Sequence, residues 1–301
     1  MTNNPHDQLA KQYLEIVLKL LGTVKPGHTL YSEIRQIDVW FIPNNTPASN
    51  PQLLGLLGRI AATACVLEPF RNPPSAIAIR NCQSKLNAIQ NALLRQARRD
   101  NIPAPADAAL PPLWILSPSC SPALRDGFCA KLDPSGQWEN GIYFLPKYQQ
   151  TRLVAINQLP VNTNTLWVRI LGRGKTQENA INELIALPPE HPLRQDCLEI
   201  LANWRMTLQI RENLEKDDRE LMMNLSPAYL QWKEETFQEG RQEGRQEEIK
   251  SLLAERFGEL DQELSRIVQP LVELPVKART RLLLNLSHLS REDLLSRFPV
   301  D

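Results

Sequence analysis

The stretch "SEIRQIDVWFIP", residues 32–43, places two acidic residues in or beside a run of large apolar ones. Val, Trp, Phe and Ile follow one another in "IDVWFIP" before Pro43 ends the run, which is typical of a β-strand. Glu33 and Asp38 lie in a region where the chain uses few acids. They are either surface charges on a strand or ligands of a metal ion.

A second apolar run, "ACVLEPF" at residues 64–70, also carries an isolated acid. Strand alternation places Glu68 and Val66 on one face and Leu67 on the other. A carboxylate in such surroundings is costly unless it is paired, protonated or bound to a cation. Glu68 is therefore the acid of the front half whose position most needs an explanation.

Two explanations fit these acids. If the two strands pair, Asp38 and Glu68 converge, and two carboxylates with a backbone carbonyl and water are what Mg²⁺ prefers. In the other interpretation Asp38 and Glu33 point outward on an amphipathic strand. Glu68 then forms a salt bridge to Arg71 or Arg35.

Around these strands the sequence predicts an α/β core over residues 1–160. A first helix is predicted over residues 7–21, a strand over residues 29–36, and a long helix over "SAIAIRNCQSKLNAIQNALLRQARRD". Three further strands are predicted in "PLWILSP", "GIYFLP" and "RLVAINQLP".

Beyond residue 160 the pattern is helical. We expect a helical extension over residues 161–225 and a charged helical spacer over residues 226–250, with Pro227 in its first turn. This spacer contains the repeat "EGRQEGRQ", in which two glycines disfavour helix and neighbouring charge pairs support it. Residues 251–301 are predicted to form a small helical domain.

The composition fits a folded protein with no membrane span. Hydrophobic residues make up 42% and charged residues 23% of 301 residues, close to ordinary globular usage. The N-terminus lacks an apolar signal core, so the predicted location is the cytoplasm. Five cysteines without a C-x-x-C pair and four scattered histidines argue against a disulfide framework or a recognisable zinc site.

Several segments together resemble a known family. They are "HDQLAKQYLE", "EIRQIDVWF", "LLGRIAATACVLEPFRNPP", the E-G-R-Q spacer and "LLAERFGELDQELSRIV" with "LSREDLLSRF". The chain resembles PD-(D/E)xK nucleases, in particular bacterial, largely cyanobacterial, relatives of the transposase-like recombination-promoting nucleases that carry a C-terminal domain of unknown function. The resemblance implies a restriction-endonuclease-like core, a central mixed sheet flanked by helices, followed by an all-α C-terminal region with a long charged helix. It also implies a DNA endonuclease that uses Mg²⁺ or Mn²⁺.

The resemblance assigns roles to individual residues. Asp38 matches the acidic metal ligand at the start of the second core strand, and Glu68 matches the Glu of E-x-K. The carbonyl of Pro69 is then the suggested third ligand. Phe70 stands where the family has its lysine. The basic residue is then expected on the following helix, at Lys85, with Arg71 as the second choice.

Accessory residues are less specific. Glu15 is either an accessory acid or a helix-surface partner of Lys11 or Lys19, and Glu33 either assists Asp38 or only occupies its strand.

The cluster Arg95, Arg98 and Arg99 ends the long helix. It either contacts a DNA backbone or favours the negative end of the helix dipole. Residues 1–131 carry 13 Lys and Arg against 8 Asp and Glu, a mild positive bias that suits a phosphate partner.

The resemblance leaves two functions open. In the first, the chain cuts DNA and its C-terminal helices form a homodimer. In the second, it is a catalytically degenerate nuclease fold that serves as a binding or scaffold protein, in agreement with Phe70 at the lysine position.

Overall fold

A computed structural model of the protein describes residues 5–29, 36–45, 50–210 and 216–298. The chain divides into two compact units, Met1–Trp232 and Lys233–Asp301. Glu33 and nearly all of the strand predicted over residues 29–36 lie outside the described residues. The four predicted segments of the chain, bounded at residues 160, 225 and 250, stay a prediction.

The first unit is built on a seven-stranded mixed sheet in the order β1-β2-β3-β4-β7-β6-β5. Strands β3, β4 and β7 run parallel to one another, and each of the other neighbouring pairs is antiparallel. The strands are β1 (Gly22–Thr29), β2 (Gln36–Pro43), β3 (Cys65–Pro69), β4 (Leu113–Ser117), β5 (Lys131–Leu132), β6 (Ile142–Phe144) and β7 (Thr151–Ala155).

Helices cover both faces of this sheet. The helices that begin in the first unit are α1 (Pro5–Leu18), α2 (Gly55–Ile60), α3 (Ala76–Arg99), α4 (Pro122–Gly127), α5 (Leu166–Arg169), α6 (Lys175–Ile185), α7 (Arg194–Gln209) and α8 (Lys216–Phe257). The observed order is α1, β1, β2, α2, β3, α3, β4, in which the strand with Asp38, the strand with Glu68, the long helix and the next strand follow one another as predicted. The predicted α/β class with a mixed sheet flanked by helices is confirmed.

Strand alternation decides what each face of the sheet buries. Val66 packs with the residues of α3, whereas Leu67 packs with those of α1 and α7, as the alternation in β3 predicts. The core therefore has two layers of apolar side chains, one on each side of the sheet. The helices that follow residue 160 contribute to the larger of these layers.

One strand is absent from the sequence prediction, and one predicted helix start is wrong. The sequence does not predict β1, because Gly22, Pro26 and Gly27 are residue types depleted in strands. β1 lies at the edge of the sheet, where proline is tolerated. The prediction that a helix begins near Ser226 is wrong, because α8 begins at Lys216 and passes through Pro227.

Packing explains how α8 continues through this proline. Proline inside a helix removes one backbone hydrogen bond. Leu221, Leu225 and Ala228 are fully buried on both sides of Pro227 and hold the helix against the core. The hydroxyl of Ser226 donates a hydrogen bond to the carbonyl of Met222 at 2.8 Å.

The second unit has a core of its own. Its other helices are α9 (Gln262–Glu273), α10 (Val276–Leu284) and α11 (Arg291–Leu295). Their apolar side chains pack with Ile249 and Leu253 near the end of α8. The last helix is capped at its N-terminus, since Ser290 and Asp293 form a reciprocal capping box. Among the described helices none is both long enough and apolar enough to cross a membrane.

Candidate functional site

Pairing of β2 with β3 brings Asp38 and Glu68 together. The two strands are antiparallel, with Val39 opposite Leu67. Continuing this register by one residue places Asp38 opposite Glu68. The backbone N–H of Asp38 donates to Oε1 of Glu68 at 3.3 Å. Residues thirty positions apart in the sequence are thus direct neighbours in the sheet.

Helix α3 supplies the groups that surround the carboxylate of Glu68, which is 1% exposed. Nζ of Lys85 lies 3.0 Å from Oε1 and 2.8 Å from Oε2. The thiol of Cys82, one helical turn earlier, lies 3.6 Å from Oε2. Residues three apart on a helix share a face, so the long helix presents an ammonium and a thiol to one buried acid. The start of α3 is fixed by the side chain of Ser75, which accepts from the N–H of Ala78.

Helix α1 supplies a partner for Asp38 that is not predictable from the sequence. Nζ of Lys11 lies 2.6 Å from Oδ1 of Asp38, and the side chains of the two residues are 25% and 21% exposed. The sequence alone suggests Lys11 only as a helix-surface partner of Glu15. No sequence signal joins Lys11 to Asp38, because the contact depends on how α1 packs against the sheet.

The electrostatics of the site reflect burial. Burial and the nearby charge of Asp38 raise the pKa of Glu68 to about 7, against the opposing effect of Lys85. Burial lowers the pKa of Lys85, but its contacts with Glu68 outweigh burial, and the pKa is raised overall. Burial, together with the charge of Glu68, raises the pKa of the Cys82 thiol. This thiol is therefore a protonated donor to Glu68 and not a nucleophile.

The residues after Glu68 have other roles in the fold. Phe70 packs against the core layer on the α3 side and lines a cavity together with Leu9 and Tyr13. The guanidinium of Arg71 is buried and donates to the carbonyl of Gly172 at 3.3 Å. The geometry therefore favours Lys85 over Arg71 as the basic group at Glu68, although Lys85 is on a helix and seventeen positions later.

Pro69, whose carbonyl is the suggested third metal ligand, is the last residue of β3. The other predicted accessory acids are elsewhere or outside the described residues. Glu15 is exposed and lines a surface groove between α1 and α7. Lys19 in the same groove pairs with Asp196 at 3.7 Å. Glu33 lies outside the described residues.

The arginine cluster lies at the C-terminal end of α3. Arg95, Arg98 and Arg99 are all exposed. They follow Lys85 by 10 to 14 positions, or about 15 to 21 Å along the helix at 1.5 Å per residue. They do not contact Glu68, but they lie on the same helix as Lys85.

The donor set of the site suits a hard cation in type. The carboxylates of Asp38 and Glu68 are oxygen ligands of the kind that Mg²⁺ and Mn²⁺ bind. Each of them is paired with a lysine instead. Across the described ranges, no group of three or more His, Cys, Asp and Glu side chains could hold a metal ion. The arrangement can therefore act as a two-carboxylate site once the lysines yield, or remain a closed network of ion pairs.

Comparison of the chain with known protein families, with curated proteins and with solved structures finds no match.

Proposed function

We propose that this protein is a DNA endonuclease of PD-(D/E)xK type that depends on Mg²⁺ or Mn²⁺. The observation that carries the proposal is the convergence of Asp38, Glu68 and Lys85 at one place on two neighbouring strands and the helix that follows them. A buried acid held by a lysine beside a second acid is the chemical content of the motif. The replacement of the motif lysine by Phe70 is compensated by Lys85.

Asp38 and Glu68 would hold the cation in this reaction. A bound Mg²⁺ or Mn²⁺ supplies a water of lowered pKa and neutralises charge on the scissile phosphate. Lys85 keeps its positive charge, because its pKa is raised, and stabilises negative charge that develops on a nearby phosphate oxygen. The buried setting of Glu68 strengthens both interactions, since water screens charges less there.

The partners follow from the same proposal. DNA is the substrate, and Arg95, Arg98 and Arg99 contact its backbone. The C-terminal helices join two copies so that two sites address the two strands. A role in recombination or in a mobile element, and a location in the cytoplasm, complete the proposal.

Cleavage of supercoiled plasmid in Mg²⁺ or Mn²⁺ tests the catalytic part. We expect nicking by the wild type and a loss of about 100-fold or more in Asp38→Asn, Glu68→Gln and Lys85→Met, which remove charge with little change in volume. Glu15→Gln is the matched control, because it neutralises an exposed acid in another groove and should cleave as the wild type does. Equal nicking by the wild type and the Asp38 and Glu68 variants would exclude this site.

A second function is supported by a different observation. Two lysines neutralise the two acids without a metal ion, since Lys11 pairs with Asp38 and Lys85 pairs with Glu68. Such a closed network suits a nuclease fold that binds DNA without cutting it. Binding of the plasmid with no cleavage by the wild type in either cation would favour this function.

A further inference from the structure

We infer that Lys11 competes with the divalent cation for Asp38: its ammonium group pairs with the carboxylate that would hold the ion and would have to leave it for the ion to bind. This inference rests on the proposed function and adds a residue from α1 to the site. Lys11 acts as a positioning residue, because it acts through Asp38. Neither the motif nor its spacing identifies it.

The contact between Lys11 and Asp38 is short and specific. Nζ lies 2.6 Å from Oδ1, within charge-assisted hydrogen-bonding distance. The residues before Lys11 anchor the helix, since Leu9 and Ala10 are buried against the core. The lysine is therefore held beside Asp38 by the packing of α1. About a quarter of each side chain is exposed, so a cation from solvent can reach the pair.

The two lysines of the site differ in how firmly they are bound. Lys85 contacts both oxygens of Glu68, whose carboxylate also accepts from the backbone of Asp38. Lys11 and Asp38 form a more exposed pair, since their side chains are 25% and 21% exposed, against 18% and 2% for Lys85 and Glu68. Lys11 would therefore leave its acid more easily than Lys85 would. Asp38 would therefore be the easier of the two acids for a cation to reach.

Displacement leaves Lys11 near the site with its charge intact. A lysine side chain has a flexible four-carbon stem and three donors. The released ammonium can therefore turn to a non-bridging oxygen of a DNA phosphate. The same residue would then oppose cation binding in the absence of DNA and favour phosphate binding in its presence.

Titration of the full-length protein with Mn²⁺ in the absence of DNA, followed by calorimetry or by the electron paramagnetic resonance of free Mn²⁺, tests this inference. We expect Lys11→Met to bind Mn²⁺ about two- to fivefold more tightly than the wild type, the range expected for loss of one partly exposed ion pair. Lys11→Gln should show the same direction, and Lys11→Arg should stay close to the wild type. Lys19→Met is the matched control directly after the same helix, because Lys19 pairs with Asp196 and not with the site.

The outcomes separate this inference from the proposed function. Tighter binding in Lys11→Met that disappears when Asp38→Asn is added supports the inference and locates the ion. If the wild type binds Mn²⁺ and both Lys11→Met and Lys11→Gln bind it equally or more weakly, the inference is overturned and the metal site remains. Absence of Mn²⁺ binding in the wild type and in every Lys11 variant overturns both.

Discussion

At the residue scale, the carboxyl group of Glu68 is the most informative group in the protein. It is buried, it touches a lysine, a thiol and a backbone N–H, and its pKa is raised to about 7. The folded protein therefore holds a proton at Glu68 more tightly than the unfolded chain does. The stabilisation from this proton is fully present below an ordinary pKa of 4.5 and is lost as pH rises through about 7.

Glu68→Gln should remove this dependence on pH. The difference in free energy of unfolding, variant minus wild type, should become more positive from about pH 5 to about pH 8. The change should be at most about 3 kcal/mol, since each unit of pKa shift is worth about 1.4 kcal/mol. In the wild type Lys85 remains charged at both pH values, because its contacts with Glu68 raise its pKa. Urea unfolding at the two pH values measures the effect. An equal change in the free energy of unfolding of variant and wild type between the two pH values would contradict this prediction. Glu15→Gln should behave as the wild type does.

The sequence locates part of this site for physical reasons. A carboxylate inside an apolar strand is unusual enough to single out Glu68 from sequence alone. Lys85 follows from the resemblance, because the motif lysine is missing at Phe70. Lys11 has no such signal, since lysine on the outer part of an amphipathic helix is ordinary and only tertiary packing brings it to Asp38.

At the element scale, α3 joins the candidate site to a cluster of positive charge. The helix carries Lys85 at Glu68 and ends with Arg95, Arg98 and Arg99, about 15 to 21 Å further along. Such a helix can follow a DNA backbone away from the scissile phosphate. Positive charge at the C-terminal end of a helix also interacts favourably with the helix dipole. An experiment therefore has to separate this role of the exposed arginines from DNA binding.

Replacement of Arg95, Arg98 and Arg99 by glutamine separates them. If all three contact phosphates, DNA binding weakens for every sequence and the salt dependence of log K becomes shallower by about 2 to 3, near 0.9 per lost contact. Binding of Mn²⁺ should not change. Fluorescence anisotropy with a labelled duplex at several salt concentrations measures the slope.

The control for this triple variant replaces Arg241, Arg245 and Lys250 of α8 by glutamine, which removes the same charge from the spacer. Its salt slope should equal that of the wild type. An equal loss of slope in both triple variants would show that net charge, and not α3, accounts for the effect.

Elements were predictable where burial and strand-forming residues agree. β2, β3 and β4 are apolar runs of strand-forming residues bounded by Pro or Ser, and the structure places strands there. β1 contains glycine and proline and is held by pairing with β2, which no local pattern reports. Pro227 predicts a helix start, yet burial of Leu221 and Leu225 before it keeps α8 continuous.

At the scale of the whole molecule, α8 connects two separate cores. The buried clusters of the first unit end before the division at Trp232, and the cluster of the second unit begins at Ile249. Residues 236–244 between them are all exposed. They include Gly240 and Gly244, where an added Cβ would meet nothing within 4 Å. Because these side chains are exposed, little packing opposes local unfolding of this part of the helix.

Limited digestion with trypsin should therefore cut first after Arg241 or Arg245 and release two fragments that stay folded. Cleavage of a helix needs local opening, and its rate follows the population of the open form when closing is fast. Each glycine costs a helix about 1 kcal/mol relative to alanine. Gly240→Ala and Gly244→Ala should each slow the first cut by about fivefold. Mass spectrometry of early fragments identifies the site.

Gly127→Ala is the matched control, because a Cβ at Gly127 also meets nothing within 4 Å and lies far along the chain from the spacer. Its digestion rate should equal that of the wild type. A first cut elsewhere, or equal rates in all glycine variants, would mean that the spacer is held by more than its own helix. Since exposed glycines four apart let helices approach closely, contact with a second copy through this segment would protect it, and the rate would then fall as protein concentration rises.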